Sequence, residues 1–391
     1  MHLPRRKIIG LALVVAFSGS IAVWYRHIQH RNTADYLEII RGVFRAERPV
    51  RPDFRQENKC TSNSLQRMGK PGFFEGIPNE FLPGYKGPCF MIREKGKEVL
   101  RCLPHFYIIG ITKCGTTELW EKLQSHPQLS FCSDEKESEW WTPERNQLMP
   151  FSTYLDLRSA KMVEQFQRDE SLRKWLVTAD GSPTTIYEFY SWRKFFGENY
   201  DGPKCTTADL LYAAQPQAKL IITLRDPIDR LYSHYLHFNH EKGSVEEFHE
   251  GVVSEIAEYK KCRTRLSARA CAYAERRRNF VTLNTGLYSV FIRDWAKVFP
   301  WEQIRIQRLD DWRKNCPKVY SEVLKFLELD SLPDQTLKEI CSQRIPNSGT
   351  EKLVKIGAMM NKTRQLLVNF YAESNRELSK MLGDGRYLWK Q

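Results

Sequence analysis

Tyr107-Ile108-Ile109-Gly110-Ile111-Thr112-Lys113-Cys114-Gly115-Thr116-Thr117-Glu118 reads as a short apolar run, a glycine-bearing turn and the start of a helical stretch through Leu119 and Leu123. A strand ending in such a turn delivers backbone N–H groups to the mouth of a helix. The helix dipole adds positive potential there, so the turn is an anion site. The P-loop of nucleotide kinases has the pattern G-x-x-x-x-G-K-[ST]. Here Gly110 and Gly115 hold the glycine positions, Thr116 stands where that lysine would be, and the lysine lies inside the loop as Lys113. The P-loop lysine and hydroxyl serve β- and γ-phosphates and Mg²⁺. A lysine placed earlier suits a shorter anionic chain and requires no metal.

Working outward, Phe106 to Ile111, Leu176 to Ala179, Leu220 to Leu224 and Ile304 to Leu309 are short apolar runs separated by helical stretches. This pattern predicts an α/β fold, a P-loop-like parallel sheet flanked by helices. Ligands in such folds sit at the carboxyl ends of the strands. The chemistry is therefore expected just after Ile109, Ala179 and Leu224. The run Leu220 to Leu224 leads into Arg225-Asp-Pro-Ile-Asp-Arg230-Leu-Tyr-Ser233-His-Tyr235. Pro227 is placed to open a helix, where its missing N–H does no harm. Arg225 at the strand end and Ser233 on the following helix suit a phosphate monoester. A lone arginine of this kind is more often a structural ion pair; two anion motifs on one sheet alter that balance.

The two segments resemble the paired motifs of sulfotransferases that use 3′-phosphoadenylyl sulfate (PAPS). The first is similar to their P-K-x-G-T-T loop, with Thr112 in place of the proline. The second matches every fixed position of R-D-P-x-x-R-x-x-S-x-Y. The resemblance implies that Lys113, Cys114, Gly115, Thr116 and Thr117 hold the 5′-phosphosulfate, and that Arg225 and Ser233 hold the 3′-phosphate of PAPS and of its product PAP. Lys113 would also neutralise charge on the departing bridging oxygen. Further matching runs are Gly286-Leu-Tyr288 with Trp295, and Phe370-Tyr371 with Asn375. The family's late K-G-R loop is not matched. Arg344-Ile-Pro-Asn347-Ser348-Gly349 occupies its place, and Asn347 and Ser348 become the candidates for its cofactor contacts.

Sulfuryl transfer to an alcohol needs a base within hydrogen-bond reach of the acceptor proton. Ser133-Asp-Glu135-Lys136-Glu137-Ser-Glu139-Trp140-Trp141 carries candidates and resembles the K-E-x-x-F-F segment of glycosaminoglycan sulfotransferases. That resemblance implies Glu137 as base and Lys136 as a cation facing the reacting sulfate. Trp140 is a candidate sugar platform, though one of the two tryptophans is expected in the core. Glu135 and Glu139 read as solvated. His105, His126 and His234 are competing bases; His126 and His234 read as structural. Asp180-Gly-Ser182-Pro183 follows the second apolar run and is expected to line the cleft, and the resemblance implies that Ser182 lies near the acceptor.

The 391 residues carry a net charge of +13. A basic balance favours anionic partners without choosing among them. The run from Lys260 to Arg278 includes Arg276, Arg277 and Arg278, a solvated face or a docking surface for a sulfated polysaccharide. Arg5, Arg6 and Lys7 precede the uncharged run Ile8 to Tyr25, and Trp24 and Tyr25 close it. This predicts a transmembrane signal anchor at 8–25 with a cytoplasmic tail at 1–7. A lumenal stem and wrapping segment would follow at 26–100, then the catalytic domain at 101–391. The lumen is oxidising, so the ten cysteines, none in a C-x-x-C, read as structural disulfides rather than a metal site. Cys262 with Cys271 and Cys316 with Cys341 are the preferred pairs. Asn361-Lys362-Thr363 is a glycosylation sequon.

The reading is a single-pass Golgi enzyme moving sulfate from PAPS to a sulfated glycosaminoglycan, with no metal and no nucleic acid, and with room for a homodimer. Phe81-Leu-Pro-Gly-Tyr-Lys-Gly-Pro-Cys89 and Arg101-Cys-Leu-Pro104 resemble the subgroup that sulfates C6 of N-acetylgalactosamine 4-sulfate in chondroitin and dermatan sulfate. Another glycan such as heparan sulfate stays open as acceptor. The rivals from other classes are a nucleotide kinase, opposed by the missing G-K-[ST], and a non-catalytic polyanion-binding protein.

Overall fold

Lys219–Leu224 is buried at every position after its first, and in the computed structural model it lies inside a parallel sheet. The structure describes residues 51–389 apart from 69–75, 95, 132–135, 144–147, 198–199, 240, 242, 275–280 and 344–354. The anchor at 8–25, Glu135, Arg276 to Arg278, Asn347 and Ser348 lie outside the described residues. No helix among the described residues is long and apolar enough to cross a membrane.

Strands β1 (Cys89–Glu94) and β2 (Lys97–Cys102) form an antiparallel hairpin. The parallel sheet contains β3 (Phe106–Gly110), β4 (Ala179–Asp180), β5 (Lys219–Leu224) and β6 (Ile304–Arg308), in the order β4-β3-β5-β6. In chain order the helices used below are α1 (Ser62–Met68), α2 (Thr116–Gln124), α3 (Phe151–Arg168), α4 (Thr207–Ala214), α5 (Pro227–Phe238), α6 (Val245–Arg263), α7 (Tyr288–Ala296), α8 (Leu309–Lys314), α9 (Cys316–Phe326), α10 (Asp334–Ser342) and α11 (Asn361–Leu382).

Side chains alternate across β3 and β5, and both faces are dry. Phe106, Ile108 and Ile221 pack with Leu119 and Trp120 of α2, Trp312 of α8 and Tyr320 of α9. Tyr107, Ile109, Leu220 and Ile222 face the other way, toward Leu231 of α5, Phe291 of α7 and Leu367 of α11. A strand buried on both faces needs continuous rather than alternating apolar sequence, as these strands have.

Two expectations change. The second strand is Ala179–Asp180, not Leu176 to Ala179. Val177 makes only an isolated bridge to Leu129, so the apolar signal at Leu176 and Val177 marks burial rather than ladder pairing. The segment expected to wrap onto the domain, within 26–100, carries regular structure of its own: α1 and most of the hairpin.

Among the described residues there are four disulfides: Cys60–Cys205, Cys89–Cys102, Cys262–Cys271 and Cys316–Cys341. The last two are the pairs preferred from sequence. Cys316–Cys341 joins α9 to α10, whose carboxyl end is also gripped by Lys122 of α2. The Lys122 ammonium is buried and donates to the carbonyls of Ile340 (2.8 Å), Cys341 (3.3 Å) and Gln343 (3.1 Å). A cation at the negative end of a helix satisfies carbonyls that the helix itself leaves unpaired.

Candidate active site

The loop from Gly110 to Gly115 leaves β3 and is sewn to the neighbouring strand by Ile111 N–H donating to the Thr223 carbonyl (3.1 Å). Gly115 turns the chain into α2 with φ of 84°, and a Cβ there would meet Leu309 Cδ1 at 2.6 Å. Both the left-handed backbone and the close approach require glycine. Lys113 also has a positive φ, 67°, and is half-buried. Thr112 stands where the resembling loops carry proline. Its Oγ1 is 2.9 Å from the Tyr187 hydroxyl, so a side-chain hydrogen bond restrains the turn that a proline ring would otherwise stiffen. Thr117 is exposed, and Thr116 is buried with its hydroxyl 3.1 Å from Lys136 Nζ. Cys114 is buried, so only its backbone can serve an anion. Burial pushes its thiol up to about 11, which keeps it neutral.

Arg225 follows β5, the immediate neighbour of β3. Asp226 caps α5 by accepting from Ile228 N–H (2.8 Å), and Pro227 opens the helix. Arg225 and Ser233 are half-buried, and among the described residues neither side chain has a hydrogen-bond or ion-pair partner. A guanidinium and a hydroxyl left available at a helix mouth fit a phosphate monoester. Arg230, five residues on, is different. It is fully buried and donates to the Thr282 carbonyl (2.7 Å), so it fastens α5 to the core.

The carboxylate segment crosses to the same edge. Lys136 Nζ lies 2.7 Å from Glu137 Oε1, 3.1 Å from Thr116 Oγ1 and 3.4 Å from Thr117 Oγ1. The side chain of Lys136 is only 10% exposed, whereas that of Glu137 is 40% exposed. Burial lowers the Lys136 pKa from its usual range, and the Glu137 carboxylate opposes that shift. Three further residues support this segment, of which only Arg158 lies outside the motifs quoted from sequence. Buried Arg158 of α3 donates to the Lys136 carbonyl (3.3 Å), and so does Gly181 N–H (3.2 Å). A Cβ on Gly181 would meet Lys136 Cγ at 2.8 Å, so only glycine lets the lysine pass. Asp180, at the end of β4, accepts from Ser138 Oγ (2.8 Å) and Ser182 N–H (2.9 Å). An acidic residue directly before a glycine at a strand end was the available signal for this support.

Some assignments from sequence are corrected. Trp140 is 1% exposed, is stacked on Tyr154 and donates from Nε1 to the Met149 carbonyl. It fills the core and offers no face to a sugar, and Trp141 is equally buried. Ser182 is 1% exposed, and its Oγ accepts from Glu139 N–H (2.9 Å), so it braces the Glu137 segment rather than lining an acceptor site. Arg269, within the basic run, is held by Asp294 (2.7 Å) and belongs to the fold. His126 is buried with Nε2 on the Asp330 carbonyl, and His105 likewise meets the Leu327 carbonyl. Neither ring is placed as a base.

The other matching runs are packing devices. The Tyr371 ring lies where a Cβ on Gly286 would be, within 2.7 Å, and its hydroxyl donates to the Leu283 carbonyl. Trp295 Nε1 donates to the Ile186 carbonyl (3.0 Å).

The pattern of the sulfotransferase family matches residues 104–283. Carbohydrate sulfotransferase 15 from Homo sapiens is 32% identical over 377 residues, covering 81% of this chain and 67% of its own length. The Rattus norvegicus protein of that name is also 32% identical, with the same coverage. A bifunctional heparan sulfate N-deacetylase/N-sulfotransferase from Drosophila melanogaster is 27% identical over 79% of this chain and 29% of its own. Two strand-end loops of matching sequence on adjacent strands, with a Lys–Glu pair docked on the first, thus coincide with similarity across most of the chain, and the protein belongs to the PAPS-dependent carbohydrate sulfotransferase family.

Proposed function

We propose that this chain transfers a sulfuryl group from PAPS to C6 of N-acetylgalactosamine 4-sulfate in chondroitin or dermatan sulfate. The observation that supports a transfer site is the position of Lys136. Its ammonium touches both the Glu137 carboxylate and the hydroxyls of the Lys113 loop, so the carboxylate segment rests on the donor loop. PAPS, when bound, supplies the sulfuryl group and a bisphosphate leaving group. Glu137 accepts the acceptor hydroxyl's proton as the new oxygen–sulfur bond forms. Lys113 neutralises charge on the phosphate oxygen as its bond to sulfur breaks, and Lys136 adds positive charge between base and loop. Arg225 and Ser233 hold the 3′-phosphate and fix the nucleotide.

The same reading makes the chain a Golgi membrane enzyme with a lumenal domain, held by the 8–25 segment. Four disulfides support an oxidising compartment. Arg276, Arg277 and Arg278 would then contact the acidic polymer.

The test is incubation of the full chain with radiolabelled PAPS and a panel of chondroitin 4-sulfate, dermatan sulfate, desulfated chondroitin and heparan sulfate. Disaccharide analysis should find 4,6-disulfated N-acetylgalactosamine from the first two acceptors and little label elsewhere. Label confined to heparan sulfate would reassign the acceptor and leave the transferase intact.

A further inference from the structure

Tyr288, the first residue of α7, belongs to no anion motif and is fully buried, yet its hydroxyl lies between the two loops. It donates to the Arg225 carbonyl (3.0 Å) and sits 3.7 Å from Cys114 Sγ. Burial pushes the phenol well above its usual range, and the thiol is raised to about 11. Both groups therefore stay protonated, and the hydrogen bonds run one way: Cys114 S–H to the Tyr288 oxygen, and Tyr288 O–H to the Arg225 carbonyl. Covalently, Cys114 and Arg225 are far apart in sequence, joined only through the long excursion between β3 and β5. Among the described residues, this chain of hydrogen bonds is a direct side-chain link between the loop after β3 and the residue after β5.

The platform beneath it is stiff. Tyr371 packs on Gly286 just before α7, Trp295 near the end of α7 is bonded to the Ile186 carbonyl, and the Tyr288 ring meets Trp389 at 5.9 Å.

We propose that Tyr288 is a positioning residue that sets the separation of the two anion loops, so that one nucleotide carrying a 5′ and a 3′ phosphate engages both at once. The inference rests on reading those loops as the donor site. A ligand that bridges two sites gains from the second only if their spacing is held; a ligand that meets one site does not feel the spacing. Tyr288 is therefore expected to matter for a bisphosphate and not for either monophosphate.

The experiment is calorimetric titration of the full chain and its variants with adenosine 3′,5′-bisphosphate (PAP), 5′-AMP and 3′-AMP. Tyr288→Phe keeps the ring and removes the hydroxyl. It should weaken PAP about fivefold, the size of one net hydrogen bond, and change each monophosphate less than about twofold, with the PAPS KM rising and the acceptor KM unchanged. Cys114→Ala breaks the other end of the chain and should show the same selectivity with a smaller effect, and it serves if Tyr288→Phe fails to fold. Equal weakening of all three ligands, or wild-type PAP affinity in both Tyr288→Phe and Cys114→Ala, overturns the proposal. Arg225→Ala separates this from a failure of the donor-site reading. If Arg225→Ala loses PAP while Tyr288→Phe does not, only the positioning role falls. If neither changes PAP affinity, the site reading and the proposal fall together.

Discussion

Glu137 and Lys136 are neighbours in sequence but differ in environment: the ammonium is sunk against Thr116 and Thr117 while the carboxylate is more exposed. A base must reach the acceptor, which arrives from solvent, whereas a charge-stabilising cation works better where water is excluded. Glu137→Gln keeps the size of the side chain and loses the proton acceptor. Turnover should fall by about 10²–10⁴-fold, with PAP affinity near wild type. Glu139→Gln is the control in the same kinetic assay and should remain close to wild type. Retained turnover in Glu137→Gln, with loss in Glu139→Gln, would move the base assignment along the segment. Lys136 and Glu137 were legible from their place in a motif. The support at Arg158 was not, because it acts through the Lys136 backbone and carries no pattern of its own.

The proposed donor site is built at strand ends. Lys113 follows β3 and Arg225 follows β5, and the parallel pairing of these strands makes them neighbours despite their distance in sequence. Lys113→Ala and Arg225→Ala should each weaken PAP at least about tenfold, since a charge-assisted contact is worth about 1.5–3 kcal/mol. Melting temperature should stay within a few degrees of wild type, because among the described residues the Arg225 side chain has no partner to lose. A large drop in melting temperature for Arg225→Ala at unchanged PAP affinity would mark the arginine as structural. The helical elements were less transparent than the strands. Ser233 and Arg230 both follow the pattern of α5, but three positions apart on a helix they are not equivalent, and only packing shows that Arg230 points into the core.

Across the whole molecule, residues 51–102 are tied to the sheet domain. Trp301 Nε1 donates to the Pro52 carbonyl (2.8 Å), Asn58 Nδ2 to Asp209 (2.9 Å), and Cys60 is bonded to Cys205 of the segment leading into α4. A disulfide closing a long loop restricts the unfolded chain most, with a typical contribution of about 2–4 kcal/mol. The double variant Cys60→Ala, Cys205→Ala should unfold at lower denaturant concentration, and its PAP affinity below the transition should be unchanged. An unaltered midpoint would show that this segment is held by packing alone.

What the sequence determined by itself was everything carried by local periodicity and short motifs. The apolar runs that become β3, β5 and β6, the glycine turn at Gly115, the proline-opened helix at Pro227, and two disulfides between cysteines close in sequence are of this kind. Each depends on contacts close in sequence or on a strand's need to bury one or both faces. Only the tertiary structure decided which polar and aromatic residues face the site. Trp140 and Ser182 turned inward, Cys60 paired with Cys205, and Tyr288 came to lie between two loops. Those outcomes depend on which elements pack together, and a side chain's partner across the fold leaves no trace in the order of its own neighbours.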